Sequence, residues 1–195
     1  CVAFAALMQI ASNLINDIYD FIHGSDKEDR LGPRRATAQG WISPTAMRVG
    51  IVFTVSLACI FGCLLVREAG LWLVFLGGAC VVFAFLYTTL FSYIGLGDIL
   101  VLLFFGLVPV TATYYLQTSA INAPVIMCAT ACGLVIDTLL VLNNYRDRTT
   151  DKQSGKRTII VMLGGKFGQR LYLLLGVAAC ALTLPLAFCG KYAAA

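Results

Sequence analysis

Charge is scarce in this chain. Asp, Glu, Lys and Arg make up only 12% of its 195 residues, against 59% hydrophobic ones, whereas a soluble domain carries roughly a quarter of its residues charged. With a mean hydropathy of +0.86, a soluble globular protein is excluded and an integral membrane protein implied. Histidine is reduced to His23 alone. The eight Cys (1, 59, 63, 80, 128, 132, 180 and 189) all fall in apolar windows. Cys59/Cys63 and Cys128/Cys132 are one helical turn apart, but no C-x-x-C and no nearby His pair completes a zinc set, so they read as small packing residues. A basic leading segment is missing, so no cleavable signal peptide is expected. Amphipathic periodicity is weak as well, as in helices that are apolar all round.

What the chain does have is long apolar runs. A bilayer-spanning helix needs about 20 such residues, and six windows qualify, roughly Cys1–Asp17, Arg48–Val66, Leu71–Leu90, Ile99–Leu116, Val125–Leu142 and Leu171–Gly190. The 38 uncharged residues from Ile99 to Ile136 exceed one span, and "SAINAP" (Ser119–Pro124) supplies the turn. The expected fold is all-α, a polytopic transmembrane helical bundle forming one membrane domain over residues 1–195, with hydrophilic loops about 21–47 and 143–170. Opening on Cys1 with a short first window, the chain reads as a fragment.

The net charge of +4 is explained by topology rather than by nucleic acid. Of 14 Lys and Arg, five lie in Lys27–Arg48 and seven in Arg146–Arg170. If the spans alternate, both segments share one side with Phe91–Asp98, and the positive-inside rule makes that side cytoplasmic. The partner implied is the lipid bilayer, with no nucleic acid.

Each long hydrophilic loop begins with the same chemistry. Asn13, Asn16, Asp17 and Asp20 are spaced i, i+3, i+4, i+7 and project from one helical face. Asp26 follows. Asn143, Asp147 and Asp151 at i, i+4, i+8 again share a face, with Lys156 and Arg157 next. This is a weak internal repeat, parallel rather than inverted. Carboxylates one turn apart repel each other where water is scarce, so something positive must hold them. Oxygen-rich clusters poor in His and Cys suit Mg²⁺, which takes one or two carboxylates plus phosphate oxygens. Arg34, Arg35, Lys156 and Arg157 would meet the remaining phosphate charge. A diphosphate between two acid–metal groups is the physical reading. The bland alternative, weak salt bridges on a wet loop, suits Glu28, Asp29 and Arg30 but leaves the Asn residues and the duplication unexplained. A cation-coupled transporter is the rival from another class, although its acids should gather near mid-bilayer between inverted repeats.

The pairing of "NDIYD" (Asn16–Asp20) with "DRTTD" (Asp147–Asp151) resembles the UbiA superfamily of intramembrane prenyltransferases, with motifs N-D-x-x-D-x-x-x-D and D-x-x-x-D. The third acid of the first motif would fall on Gly24; Asp26 is displaced by two. That displacement, with "GPRRATAQGWIS" (Gly32–Ser43), "GLGDILVLLFFGLVPVTATYYLQT" (Gly95–Thr118) and "NNYRDRTTDKQSGKRTIIVMLG" (Asn143–Gly164), is similar to the branch acting on 1,4-dihydroxy-2-naphthoate for menaquinone. The resemblance implies nine spans, about six of them present, with the first and the last two missing.

It further implies an enzyme of the bacterial inner membrane, its site facing the cytoplasm, that joins a polyprenyl diphosphate to an aromatic acceptor with release of diphosphate and CO2. Another quinone or haem precursor is the alternative acceptor. By this likeness Asp17, Asp20, Asp147 and Asp151 would hold Mg²⁺ and diphosphate, with Asp26 a helper. Asn13, Asn16 and Asn143 or Asn144 would orient these groups or touch substrate, and Arg34 or Arg35, Lys156 and Arg157 would bind phosphate. Tyr145 would face an allylic cation or pack against substrate.

Three single residues complete the reading. Asp137, inside the fifth window, either extends the site or is a snorkelling or protonated Asp near the cavity rim. Asp98 is expected to cap a helix start, with acceptor or phosphate contact the alternative. His23 is expected beside the metals without binding them.

Overall fold

The structure, a computed structural model, describes residues 1–24 and 32–188, with the side chains of residues 187 and 188 left aside. Asp26, Glu28, Asp29 and Arg30 lie outside the described residues. Helices follow one another as α1 (Val2–Ile22), α2 (Pro44–Ala69), α3 (Trp72–Thr89), a 3₁₀ turn (Phe91–Tyr93), α4 (Gly97–Val101), a π-helical stretch (Leu102–Leu107), α5 (Val108–Thr118), α6 (Ala123–Gln153), α7 (Ile159–Leu163) and α8 (Gly165–Phe188). Among the described residues there is no strand. The all-α expectation holds.

Five helical stretches are long and apolar enough to cross a membrane: Pro44–Ala69, Trp72–Tyr93, Gly97–Thr118, Ala123–Gln153 and Gly165–Leu186. They match the second to sixth sequence windows. The first window is α1, which is 21 residues long but carries Gln9, Asn13, Asn16, Asp17 and Asp20. Large apolar side chains such as Phe53, Leu64, Phe75 and Leu173 stand outward along the spans, where lipid can cover them.

The chain divides into two compact units, Cys1–Gly95 with Thr149–Thr158, and Leu96–Arg148 with Ile159–Ala195. In the first, α1, α2 and α3 pack on one another. Ile15 and Ile18 of α1 meet Met47 and Ile51 of α2, flanked by Leu14, Tyr19, Val55 and Phe85. These apolar residues share α1 with the polar ones, so the helix that carries the first motif is held by its own core contacts. Helix α2 starts cleanly because the Ser43 hydroxyl accepts from the Ala46 N–H and Pro44 occupies the first turn.

In the second unit Ser119, in the left-handed region (φ 53), ends α5, and the Asn122 Oδ1 accepts from the Val125 N–H at 3.0 Å. The "SAINAP" turn is thus real. Backbones touch where a methyl on Gly106 would run into Gly133 and come 2.7 Å from the Ala129 carbonyl oxygen, a close crossing that small residues allow between membrane helices. Val141, Ile160 and Leu175 bring α6, α7 and α8 together.

Two loop boundaries differ from expectation. The polar stretch from Asn143 remains helical to Gln153, so "DRTTD" sits on a helix; Lys, Arg and Gln are good helix formers. The second hydrophilic loop shrinks to a turn around Gly155 followed by α7.

Candidate active site

In the first unit the functional side chains gather at the C-terminal end of α1. Asp17 and Asp20 are almost fully buried, at 8% and 5% exposure, because three residues on a helix return nearly to the same face. The Asp17 carboxylate is already engaged: Oδ2 accepts from the Ala36 N–H and Oδ1 from the Thr37 N–H, both at 3.0 Å. It anchors the "RRAT" segment after Pro33. That anchorage carries Arg35 back to α1, where its Nη2 reaches Asp20 Oδ2 at 3.4 Å.

The second charge on Asp20 comes from far along the chain. Lys156 Nζ donates to Asp20 Oδ1 at 2.6 Å. The end of α6 explains how. The Lys156 N–H bonds the Asp151 carbonyl at 2.9 Å, the Gly155 N–H bonds the Lys152 carbonyl at 3.3 Å, and Gly155 has φ +80. This is the glycine-ended Schellman pattern. A residue in the left-handed region reverses the chain at "SGK" and aims Lys156 at α1. Asp151, itself buried, belongs to the same unit.

Around this core, Thr88 of α3 donates to Asn16 Oδ1 at 3.1 Å. Tyr93 lies with its ring 5.9 Å from Lys156 Nζ and 5.4 Å from the His23 ring. His23 bonds the Tyr19 carbonyl through Nδ1, so that nitrogen is committed to the helix end. Thr88, Tyr93 and the backbone of Ala36 and Thr37 were not singled out from sequence. A Thr pair in an otherwise apolar helix, "LYTTLF", was the available signal.

The structure sorts the sequence candidates. Asp17, Asp20, Asn16, Arg35 and Lys156 come together, whereas Asn13, Arg34 and Arg157 are exposed. Asn13 therefore stays outside the buried part of the face that the i, i+3, i+4, i+7 spacing assigned to all four residues. By phase it lies within the polar stripe, between Asn16 and Asp17, but one turn nearer the start of α1 than Asp17.

In the second unit Arg146 grips Asp147 with two bonds of 2.7 Å, from Nε to Oδ1 and from Nη2 to Oδ2. Asn143 is exposed and Asn144 half-buried. Tyr145 packs under the Arg148 guanidinium, 4.5 Å from the ring centre, and its hydroxyl accepts from Gln169 Nε2 at 2.9 Å. Asp98 does not cap α4: the N-cap is Leu96, with no side-chain capping bond. Its carboxylate sits inside the first turn instead.

Among the described residues no group of three or more His, Cys, Asp or Glu stands ready for a metal. The donors that are present, carboxylate oxygens with neutral amide and hydroxyl oxygens beside them, are chemically hard. They fit a cation such as Mg²⁺, which takes only one or two carboxylates from the protein and completes its octahedron with water and phosphate.

Fold and cluster together define a polytopic helical membrane protein with carboxylates and bases interlocked at the end of its first helix. The chain belongs to the UbiA prenyltransferase family, which it matches over residues 1–195. It is 41% identical over 187 residues to the 1,4-dihydroxy-2-naphthoate octaprenyltransferase of Escherichia coli (strain K12), covering 90% of this chain and 61% of that protein. It is 40% identical over 190 residues to the protein of that name from Haemophilus influenzae, covering 92% and 61%. The Mycobacterium leprae protein of the same name is 34% identical over 185 residues, with 93% and 63% covered. The chain thus spans about three fifths of the length of these curated relatives. No solved structure matches it significantly.

Proposed function

We propose that the protein containing this chain transfers a polyprenyl group from a polyprenyl diphosphate to 1,4-dihydroxy-2-naphthoate, releasing diphosphate and CO2, in menaquinone biosynthesis. The observation that carries the proposal is the Lys156–Asp20 contact at 2.6 Å, which joins the segment after "DRTTD" to "NDIYD". Likeness to relatives named for that reaction supplies the acceptor. Family membership leaves the transport alternative without support.

In this proposal Asp17, Asp20, Asp147 and Asp151 hold Mg²⁺, which when bound neutralises charge developing on the leaving diphosphate. Assignment of Asp147 rests on the motif alone. Lys156 and Arg35 stabilise Asp20 in the structure and have donors suited to phosphate oxygens, Arg through paired N–H groups and Lys as a point charge. Both bases are held at the acidic face by Asp20, so the charge of an entering diphosphate would meet N–H donors that the fold has already brought there. That stabilisation grows as the allylic C–O bond loosens, which is what lowers the barrier. Asn16, positioned by Thr88, orients the acidic face. Arg34, Arg157, Asn13, Asn143 and Asn144 are proposed as outer contacts to substrate, Asp26 as a helper and Tyr145 as packing against it. The site is proposed to face the cytoplasm from a bacterial inner membrane, in keeping with the basic segments beside it.

Membranes holding the full-length protein, supplied with labelled farnesyl or longer diphosphate, 1,4-dihydroxy-2-naphthoate and Mg²⁺, should form a prenylated product, and chelation should stop it. Asp17→Ala and Asp147→Ala should each abolish turnover while the protein still inserts. Unchanged turnover in both variants removes the metal assignment, and absence of any prenylated acceptor removes the function.

A further inference from the structure

Two carboxylates in the second unit take no part in the cluster just described. Asp137 of α6 is 4% exposed, and its Oδ1 is buried without a hydrogen-bond partner; Asp98 Oδ1 of α4 is in the same position. Their juxtaposition follows from the helix crossing. A methyl on Gly133 would come 2.9 Å from the Leu102 carbonyl oxygen, so Leu102 and Gly133 lie side by side. The stretch Gly97–Thr118 and α6 are joined by a short turn and run antiparallel. One turn from Leu102 toward the start of α4 is Asp98, and one turn from Gly133 along α6 is Asp137. Both steps lead the same way, so the two carboxylates come to the same level of the helix pair.

An acid pair buried in an apolar span is costly unless something supplies donors. Thr, Tyr, Gln, Ser and Asn side chains lie in the intervening sequence, but no donor reaches Oδ1 of either carboxylate. Arg146 and Arg148, farther along α6, bond Asp147 and the Tyr145 carbonyl. What the two buried Oδ1 atoms lack is an O–H or N–H hydrogen. We propose that Asp98 and Asp137 form the polar end of an acceptor subsite and take hydrogen bonds from the ring hydroxyl groups of a phenolic or naphtholic substrate. The inference rests on the function proposed above and adds to it the residues that select and orient the acceptor. Carboxyl oxygens accept from hydroxyls, so a hydroxy-naphthoate is held at this end by its ring hydroxyl groups. Along α6, Asp137 precedes Asp147 by ten residues, ~15 Å of helical rise.

The test is equilibrium binding to the full-length protein in nanodiscs without any prenyl diphosphate. 1,4-Dihydroxy-2-naphthoate is compared with 2-naphthoate, which keeps the ring and carboxylate but has no hydroxyl. Wild type should prefer the dihydroxy acid about tenfold, the size of one or two hydrogen bonds. Asp137→Leu and Asp98→Leu should erase that preference and leave the KM for farnesyl diphosphate unchanged. A buried carboxyl without a hydrogen-bond partner is costly in an apolar span, so Leu is tolerated in its place and these variants should insert. Equal binding of the two acids by wild type, a comparison that needs no variant, overturns the subsite; so does a preference that survives both substitutions, which would leave the pair to ordered water. A transfer assay on the same wild-type sample reads the enzyme proposal separately: preference intact but no transfer would sink the reaction and keep the subsite.

Discussion

Lys156 Nζ lies 2.6 Å from Asp20 Oδ1, a contact across 136 residues of sequence, and both side chains are nearly shut off from solvent. Removing one member of such a pair strands the other. Lys156→Met or Asp20→Asn should each cost about 3–5 kcal/mol of stability, whereas the two combined should cost less than the sum of the single changes. Thermal unfolding of the four proteins in detergent checks this. Strict additivity would mean that the contact does not hold the segment.

Gly155 is the hinge of that contact. Its φ of +80 is open to glycine and strained for other residues, and a Cβ there would meet nothing within 4 Å, so the cost is conformational alone. Gly155→Ala should destabilise by about 1–2 kcal/mol and, by misaiming Lys156, raise the KM for the prenyl diphosphate. Gly155→Asn should recover part of both, since Asn tolerates the left-handed region better.

Asp17 holds backbone amides rather than a base. Asp17→Ala would leave the Ala36 and Thr37 N–H groups without their acceptor, a loss of about 1–3 kcal/mol. Hydrogen exchange at these two amides should accelerate, with amides in the middle of α2 unchanged. If exchange there stays slow, the carboxylate does not pin the loop.

The glycine crossing in the second unit gives a structural control. Gly106→Ala and Gly133→Ala both push a methyl into backbone and should prevent recovery of folded protein. Gly78→Ala, in α3, meets nothing within 4 Å and should be neutral or stabilising by up to about 1 kcal/mol, the helix preference of Ala over Gly. Size-exclusion profiles of the three variants decide it.

Composition and spacing alone established that this chain lives in a membrane, that it is helical, and which helix faces carry its acids. Hydropathy is a local sum and i, i+4 spacing a local geometry, so neither needs the fold. Even there the limits were local ones. The polar run after Asn143 read as loop because polarity marks water contact, yet its residues are good helix formers, and α6 continues through them. Tertiary structure alone decided which of two adjacent arginines faces Asp20, that Lys156 and not Arg157 reaches it, that Asn13 is left exposed, and that Thr88 meets Asn16. Each of those outcomes depends on the angle at which one helix lies on another, an angle set by apolar contacts such as Ile15 and Ile18 against Met47 and Ile51. A charge can be counted in the sequence; its partner is chosen by packing.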